Sequence, residues 1–391
     1  MYKDIDFKEI VSKKFKKFFP NSRIFYFDYG RGAFYSLLKY FYPKSKKKIL
    51  INSLTLFEMV NMIIYAGFEP IFVDNKKNSF ETNTCDLLEK HFAEIRFVVV
   101  THLNGFNKEI FKIKKKIDEI NKKLGDEKIF LVEDVAVSFG AKSENLYCGS
   151  IGDFSILSFN IMKNITSLTG GALIDNHNLI YDKSKLHDKL KVSTIDLFKK
   201  ILFVFMIQFF NSKLIFPFFF KFVKRAHKKN YKFFFKKYRT DFEVSIKSQI
   251  PIIFLKNISN FQLFLLKDQF EKIKLNNNIR IKNSLYIYEN LKNNKNLIFP
   301  QIDFNENNIF IEFPVLCKSR EFKNYIFNQS LKKNVDIKNY YYKDCSSENV
   351  YSRFKNNVCS NSNFISKNIL MLPVNINQAK KDLDRVINLF D

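Results

Sequence analysis

From about residue 25 to 175 the chain alternates short apolar runs with amphipathic stretches, the pattern of strands joined by crossover helices in a mainly parallel sheet. The spacing predicts strands at Lys48 to Asn52, Pro70 to Val73, Phe97 to Thr101, Ile129 to Val132, Phe154 to Ser158 and Ala172 to Ile174. Helices are predicted over Ala33 to Tyr42, Thr55 to Ala66 and Lys108 to Leu124. In the last, Ile110, Ile113, Ile117 and Ile120 fall on one helical stripe, and Gly125 stands where a helix closes.

After Asp175 the pattern changes. Tyr181 to Lys191 reads as a charged helix, and Leu197 to Val223 is intensely apolar and aromatic. Its two apolar runs, Ile201 to Phe210 and Leu214 to Val223, are each about half of the ~20 residues that a membrane-spanning helix needs. Basic residues follow at Lys224, Arg225, His227, Lys228 and Lys229. Two readings stay open for this segment: a membrane-interface helical hairpin, or a buried helix pair or oligomer contact. Beyond Asp241 the pattern predicts a long helix from Phe261 to Leu291, a strand near Ile309 to Pro314, a helix at Glu321 to Lys332 and a final helix from Gln378. The expected architecture is α/β. A large first domain spans 1–180, an apolar and basic helical insertion 181–240, and a smaller α+β C-terminal domain 241–391.

Composition narrows the function classes. Hydrophobic residues make up 46% of 391, enough to fold, and the net charge of +26 makes the chain strongly basic. The 47 Phe, absence of Trp and abundant Lys, Ile and Asn match an AT-rich coding bias, so the charge alone is a weak pointer to a polyanion. No helix-turn-helix, RNA-recognition or zinc-finger pattern accompanies it, so no nucleic acid is expected as a partner. The five cysteines are scattered without a C-x-x-C pair, and the five histidines lack ligand spacing, so no metal site is expected. The first residues carry acids and no apolar leader, which predicts a cytoplasmic protein.

Three features fall at the ends of predicted strands, where open α/β sheets bind ligands. Tyr29-Gly30-Arg31-Gly32-Ala33 opens a helix whose free N–H groups favour a phosphate. Glu133-Asp134 directly follows the Ile129 strand. Lys163 follows the Phe154 strand in a neutral stretch, with Gly170-Gly171 shortly after. Phosphate donors, an acid and a lone lysine in that order suit pyridoxal 5′-phosphate. The lysine bonds to the aldehyde, the acid keeps the pyridine nitrogen protonated and the N–H groups hold the phosphate. His102 lies near the expected pocket, with a structural or a substrate-edge role open to it. Tyr340, Tyr341 and Tyr342 suit packing better than a substrate lid.

These stretches resemble the DegT/DnrJ/StrS family of sugar aminotransferases. The matching blocks run in order: GRGAFYSLLKYF, Ile49 to Asp74, Phe97 to Gly105, Ile129 to Ala141, Gly149 to Ile174, SNFQ at Ser259 to Gln262, and the tail from Asn368. They cover most of the chain except about Tyr181 to Phe254. The resemblance implies the fold-type I pyridoxal-phosphate architecture, with a mainly parallel, seven-stranded type of sheet in a cofactor-binding first domain. It implies Lys163 as the catalytic lysine and proton carrier, Asp134 as partner of the ring nitrogen, and Ser158 with the Arg31 and Gly32 amides at the phosphate. It further implies amino transfer, with glutamate as donor, to a keto group on a nucleotide-linked sugar, in a homodimer that serves polysaccharide biosynthesis.

The chain departs from the family pattern at several positions. Val137 stands where the family has Gln or His, Leu56 (beside Phe57) where an aromatic ring stacks on the cofactor, and Arg31-Gly32 where a threonine or serine starts the phosphate helix. Leu255 replaces a polar residue that the partner subunit sends to the phosphate. Each lost contact weakens binding by about 1–3 kcal/mol. The alternative reading is a catalytically degenerate relative, a binding or scaffold subunit held at the inner face of the cytoplasmic membrane by residues 197–225.

Overall fold

Strands covered on both faces need apolar residues at nearly every position, and runs such as Phe97-Val98-Val99-Val100 supply them. The computed structural model describes residues 6–391 apart from 44, 126, 187–189, 211, 213, 216–217, 220–221, 223–243, 340–341 and 356. Its central sheet has seven strands in the order β1-β10-β9-β6-β5-β2-β4. These are β1 (Arg23–Phe27), β2 (Lys48–Asn52), β4 (Glu69–Val73), β5 (Ile95–Thr101), β6 (Phe130–Asp134), β9 (Phe154–Ser158) and β10 (Gly171–Asp175). The pairs from β9 to β4 are parallel, and β10 runs antiparallel to both its neighbours. The fold is thus α/β with a mainly parallel sheet.

The period-two alternation of each strand divides the core into two layers. Phe97, Val99, Phe130, Val132 and Ile156 pack against α2 (Gly30–Tyr40) and α3 (Phe57–Tyr65). Val98, Val100, Leu131 and Leu157 pack instead against α1 (Phe7–Phe15) and α5 (Ile110–Leu124), together with α7 (Asn260–Leu266). Between α3 and α5 lies the short α4 (Thr84–His91). Phe15 stands at the centre of the second layer, its ring against Phe19, Tyr26, Phe139, Phe159 and Phe270.

A second, antiparallel sheet is formed by β11 (Leu297–Ile298), β12 (Glu312–Cys317) and β14 (Ile369–Pro373). It is covered by α8 (Ile273–Leu291), α9 (Arg320–Lys333) and α11 (Lys380–Ile387). The chain between returns to the first sheet: β13 (Lys343–Asp344) pairs with β3 (Leu54–Thr55), and Cys345, Tyr351, Phe354 and Cys359 share the layer of α2 and α3. From there α10 (Ser360–Asn368) leads into β14. A small hairpin, β7 (Lys142–Ser143) and β8 (Leu146–Tyr147), follows β6.

Four sequence expectations need correction. Among its described residues, Tyr181 to Lys191 is not an α-helix but a chain with a 3-10 turn at Lys183–Lys185, and its Leu190 bridges to Lys256. The helix expected from Thr55 begins at Phe57, because Thr55 is drawn into β3. The helix expected over Phe261 to Leu291 breaks between α7 and α8, where the Gln269 side chain turns away to bond the backbone of Thr166. The strand expected near Ile309 shifts to Glu312–Cys317, since the Ile309 N–H is spent on the Asn104 carbonyl. Of the apolar segment, the first run lies in α6 (Thr194–Phe210). Much of the second run, with Lys224, Arg225, His227, Lys228 and Lys229, falls outside the described residues, as do His187, Tyr340 and Tyr341.

Phe15→Ala should remove about 4 kcal/mol of stability. The urea midpoint should fall with the far-ultraviolet spectrum of the native protein unchanged; a drop under about 1 kcal/mol would mean that the layer collapses into the space.

Candidate active site

At the end of β6 the strand's alternation sends two adjacent carboxylates to opposite faces. Glu133 lies on the α5 side, fully buried. Its Oε2 accepts the Gly149 N–H at 2.8 Å and its Oε1 the amides of Ile151, at 2.8 Å, and Gly152, at 2.5 Å. His102 Nε2 meets Oε2 at 2.8 Å, and His102 Nδ1 accepts the Asn107 N–H at 3.0 Å. With Nδ1 accepting, the ring proton sits on Nε2 and is donated to Glu133. Burial pushes the Glu133 carboxyl up, but the His102 bond and the turn amides outweigh it and hold the group below its ordinary range. Glu133 and His102 therefore fasten the turn before β9, and His102 is a structural residue.

Asp134, on the α2 and α3 side, is 7% exposed and far less compensated. Its Oδ1 accepts one backbone N–H, from Ala136 at 3.0 Å. Burial raises its carboxyl above the ordinary value, and the Ala136 amide and the positive charge of Lys163 pull it only part of the way back. The lysine and the aspartate thus act on each other through space.

Lys163 sits half-buried in the loop from Phe159 to Gly170, which closes on itself through Ile161 N–H to Leu168 O and Phe159 N–H to Gly170 O. Met162 and Leu168, both bulky, adopt left-handed backbone with φ of 72° and 73°. Such residues cost about 1–3 kcal/mol each and gather at functional sites. The loop is held from outside: Gln269 bonds both backbone groups of Thr166, and Asn164 Nδ2 reaches Phe139 O and Asn277 Oδ1. Among the described residues, buried polar atoms without a hydrogen-bond partner include Thr101 Oγ1, Asn164 Oδ1 and Thr166 Oγ1, with Nε and Nη1 of Arg280 one turn beyond Asn277. Thr101 is the strand partner of Asp134. Neither the strained backbone nor Arg280 carries a signal that local sequence reading finds.

The helix start is built differently. Gly30 lies against the Leu157 carbonyl, and Gly171 against the Gly30 backbone, so both glycines serve close packing of α2 on β9 and β10. Gly32 lies beneath the Phe254 carbonyl with no room for a Cβ. Arg31 turns its guanidinium to Glu58 at 2.8 Å and stacks it 4.8 Å from the Phe254 ring. Ser158 ends β9, half-buried, opposite Gly171. Leu56 caps α3 from the edge of the α2 and α3 layer, where Leu255 also packs. Val137 belongs to an apolar cluster with Leu54, Leu103, Leu316 and Met371, between the two sheets. Behind α2, the buried Asp28 carboxylate gathers Thr169 Oγ1 at 2.8 Å, Gln262 Nε2 at 2.9 Å and Lys200 Nζ at 2.6 Å. Gln262, the last residue of the SNFQ block, also bonds the Thr169 carbonyl at 2.7 Å and so ties that block to the loop that carries Lys163. Among the described residues no three His, Cys, Asp or Glu side chains gather as a metal would need.

The two carboxylates should respond oppositely to amide substitution. Glu133 favours folding above its unfolded pKa and loses that contribution as acid protonates it, so Glu133→Gln should cost about 3 kcal/mol at neutral pH. Asp134, with its folded pKa raised, opposes folding once pH passes its unfolded value, so Asp134→Asn should raise the thermal midpoint of the cofactor-free protein at neutral pH. A fall in both midpoints would refute this division of labour.

The protein is 32% identical over 142 residues to GDP-perosamine synthase of Escherichia coli O157:H7, covering 36% of this chain and 37% of that one. It is 29% identical over 143 residues to UDP-4-amino-4,6-dideoxy-N-acetyl-beta-L-altrosamine transaminase of Campylobacter jejuni subsp. jejuni serotype O:23/36, covering 36% of each. The alignments thus span little more than a third of the length of these curated relatives. The fold matches Helicobacter pylori PseC, an aminotransferase involved in the biosynthesis of pseudoaminic acid, with a TM-score of 0.73 and 17% identity over 99% of this chain and 91% of that one. It also matches a DegT DnrJ EryC1 StrS aminotransferase from Brucella abortus, with a TM-score of 0.70 and 16% identity over 99% and 90%. The DegT/DnrJ/EryC1/StrS aminotransferase family pattern matches residues 12–199 and 233–391, leaving 200–232 unmatched. The chain belongs to this family.

Proposed function

We propose that the protein transfers an amino group to the keto group of a nucleotide-linked sugar, using pyridoxal 5′-phosphate, with glutamate as the amino donor and a homodimer as the working unit. The observation that carries this reading is the buried Asp134 carboxylate under the charge of Lys163, at the carboxyl end of a parallel strand. Family membership supports it, and the relatives' names carry GDP- and UDP-linked sugars.

The residues fit the cofactor. A buried carboxylate short of partners suits a protonated ring nitrogen, and the orphaned Thr101, Asn164 and Thr166 oxygens suit a polar ligand in the same region. When bound, pyridoxal 5′-phosphate supplies an aldehyde that condenses with amines and a ring that takes up the electrons released at the substrate carbon. Asp134 would hold the proton on the ring nitrogen, its negative charge made dependable by that cation. Lys163 would bond the aldehyde in the resting enzyme and, once displaced by substrate, carry a proton at its Nζ to and from the reacting carbon. The Ser158 hydroxyl would face the phosphate, and the Arg31 and Gly32 amides would do so from the side away from the Phe254 carbonyl that lies over Gly32. Val137 and Leu56 would present apolar surface to the ring, and Leu255 would lie beside the phosphate end.

The purified protein should take up pyridoxal 5′-phosphate and turn yellow, and borohydride should fix the label on the Lys163 peptide. Lys163→Ala should abolish both the trapping and the turnover, and Asp134→Asn should retain uptake while slowing turnover by about 100-fold or more. Glutamate should bleach the colour in the absence of sugar. Protein that remains colourless with added cofactor would end the reading; uptake of cofactor that no amino acid discharges would favour a non-catalytic binding subunit.

A further inference from the structure

An α-helix in a folded protein normally buries one face, and α6 buries none of its residues although twelve of its seventeen are apolar. Phe198, Phe205 and Phe209 are 65%, 66% and 50% exposed. The helix is nevertheless fastened at its first turns. Lys200 pairs with the buried Asp28, and Asp196 pairs with Lys256 at 2.5 Å. The remaining ten residues, Ile201 to Phe210, hold one polar side chain, Gln208. Beyond it the Ile215 N–H bonds the Ser212 carbonyl and the Phe219 ring stacks on Phe210 at 4.8 Å between ring centres, with Leu214 and Phe218 85% and 72% exposed nearby.

We propose that this projection docks the enzyme on an anionic phospholipid surface, its Phe and Leu side chains entering the headgroup–acyl boundary. Charge decides the occupant. From residue 197 to 240 the sequence has no Asp or Glu and twelve Lys and Arg. A second copy of this stretch laid against the first would bring like charge to like, whereas an anionic bilayer offers counter-charge. Length decides the depth. Among the described residues no helix is long and apolar enough to cross a membrane, and seventeen residues rise only about 25 Å, short of the ~30 Å hydrocarbon core. The projection therefore lies in the interface. Ile201 to Phe210, Leu214 and Phe218 also fall within the stretch that the family pattern leaves unmatched, 200–232.

The test is co-sedimentation of the full-length protein with phosphatidylglycerol–phosphatidylcholine vesicles, compared with vesicles of phosphatidylcholine alone. Binding should require the anionic lipid and fall as salt is raised. The double substitution Phe205→Glu and Phe209→Glu should lower partitioning by about tenfold or more, while cofactor uptake and thermal midpoint stay at the parent values. Leu214→Glu, beyond α6, gives a second reading independent of helix stability. Absence of binding to anionic vesicles overturns the proposal, as does undiminished binding by both variants. A protein indifferent to lipid whose oligomer dissociates on the double substitution would assign the face to a second copy instead.

Discussion

A carboxylate without water stays ionised only if positive charge or donated hydrogen bonds replace the hydration it has lost. The end of β6 holds two such groups side by side and treats them differently. Glu133 receives three backbone amides and a histidine, and is complete. Asp134 receives one amide and the field of a half-buried lysine, and is not. The contrast follows from the pleat, which turns adjacent residues to opposite layers. One layer closes over Glu133 with the turn before β9, and the other leaves Asp134 facing the loop that carries Lys163. A group kept short of donors in this way loses stability alone and recovers it with a bound cation.

What fixes the lysine is a set of contacts lying some distance from it. Two residues with left-handed backbone brace the loop from within, and Gln269 and Asn164 tie it to the break between α7 and α8 and to α8 itself. Thr169, at the far end of the same loop, joins Gln262 and Lys200 around Asp28. The helix break and the capping box at Ser259–Gln262 are thus parts of one support. Seen alone, each looks like an ordinary helix terminus.

This separation explains what could be read from the chain and what could not. Strands such as Lys48–Asn52 and Phe154–Ser158 are announced by continuous apolar runs, and six of the seven strands of the central sheet were legible from them, the edge strand Arg23–Phe27 being the one not predicted. So was the pairing of an acid after one strand with a lysine after another, because ligand sites of this topology lie at strand ends. Short pairings such as Leu54–Thr55 with Lys343–Asp344 depend on residues almost three hundred positions away and leave no local period. The role of Glu133 was hidden for the same reason. Its four donors come from two separate stretches, His102 and the turn Gly149 to Gly152, and only the parity of the strand distinguishes it from Asp134. The helical reading of Tyr181 to Lys191 failed over its described residues because charge spacing sets which face would be wet, not whether a helix has anything to pack upon.

The start of α2 shows how a family body can accept a foreign segment. An anion approaching Gly32 from the side of the Phe254 carbonyl meets that oxygen first, and the Arg31 guanidinium beside it is already paired with Glu58. The cover is a single 3-10 turn, Ile252–Leu255, with no buried residue of its own. It is held at one end by the Lys256 carbonyl, which accepts the Asp28 N–H, and by the Lys256 ammonium on Asp196 of α6. Asp28 in turn takes Lys200 from the same helix. The two ion pairs that root the apolar projection therefore also seat the segment lying over the helix start. Because Asp28 is buried and Asp196 is not, they are unequal: losing Lys200 would strand a charge in the core, while losing Lys256 would release the turn at little cost to the rest of the fold.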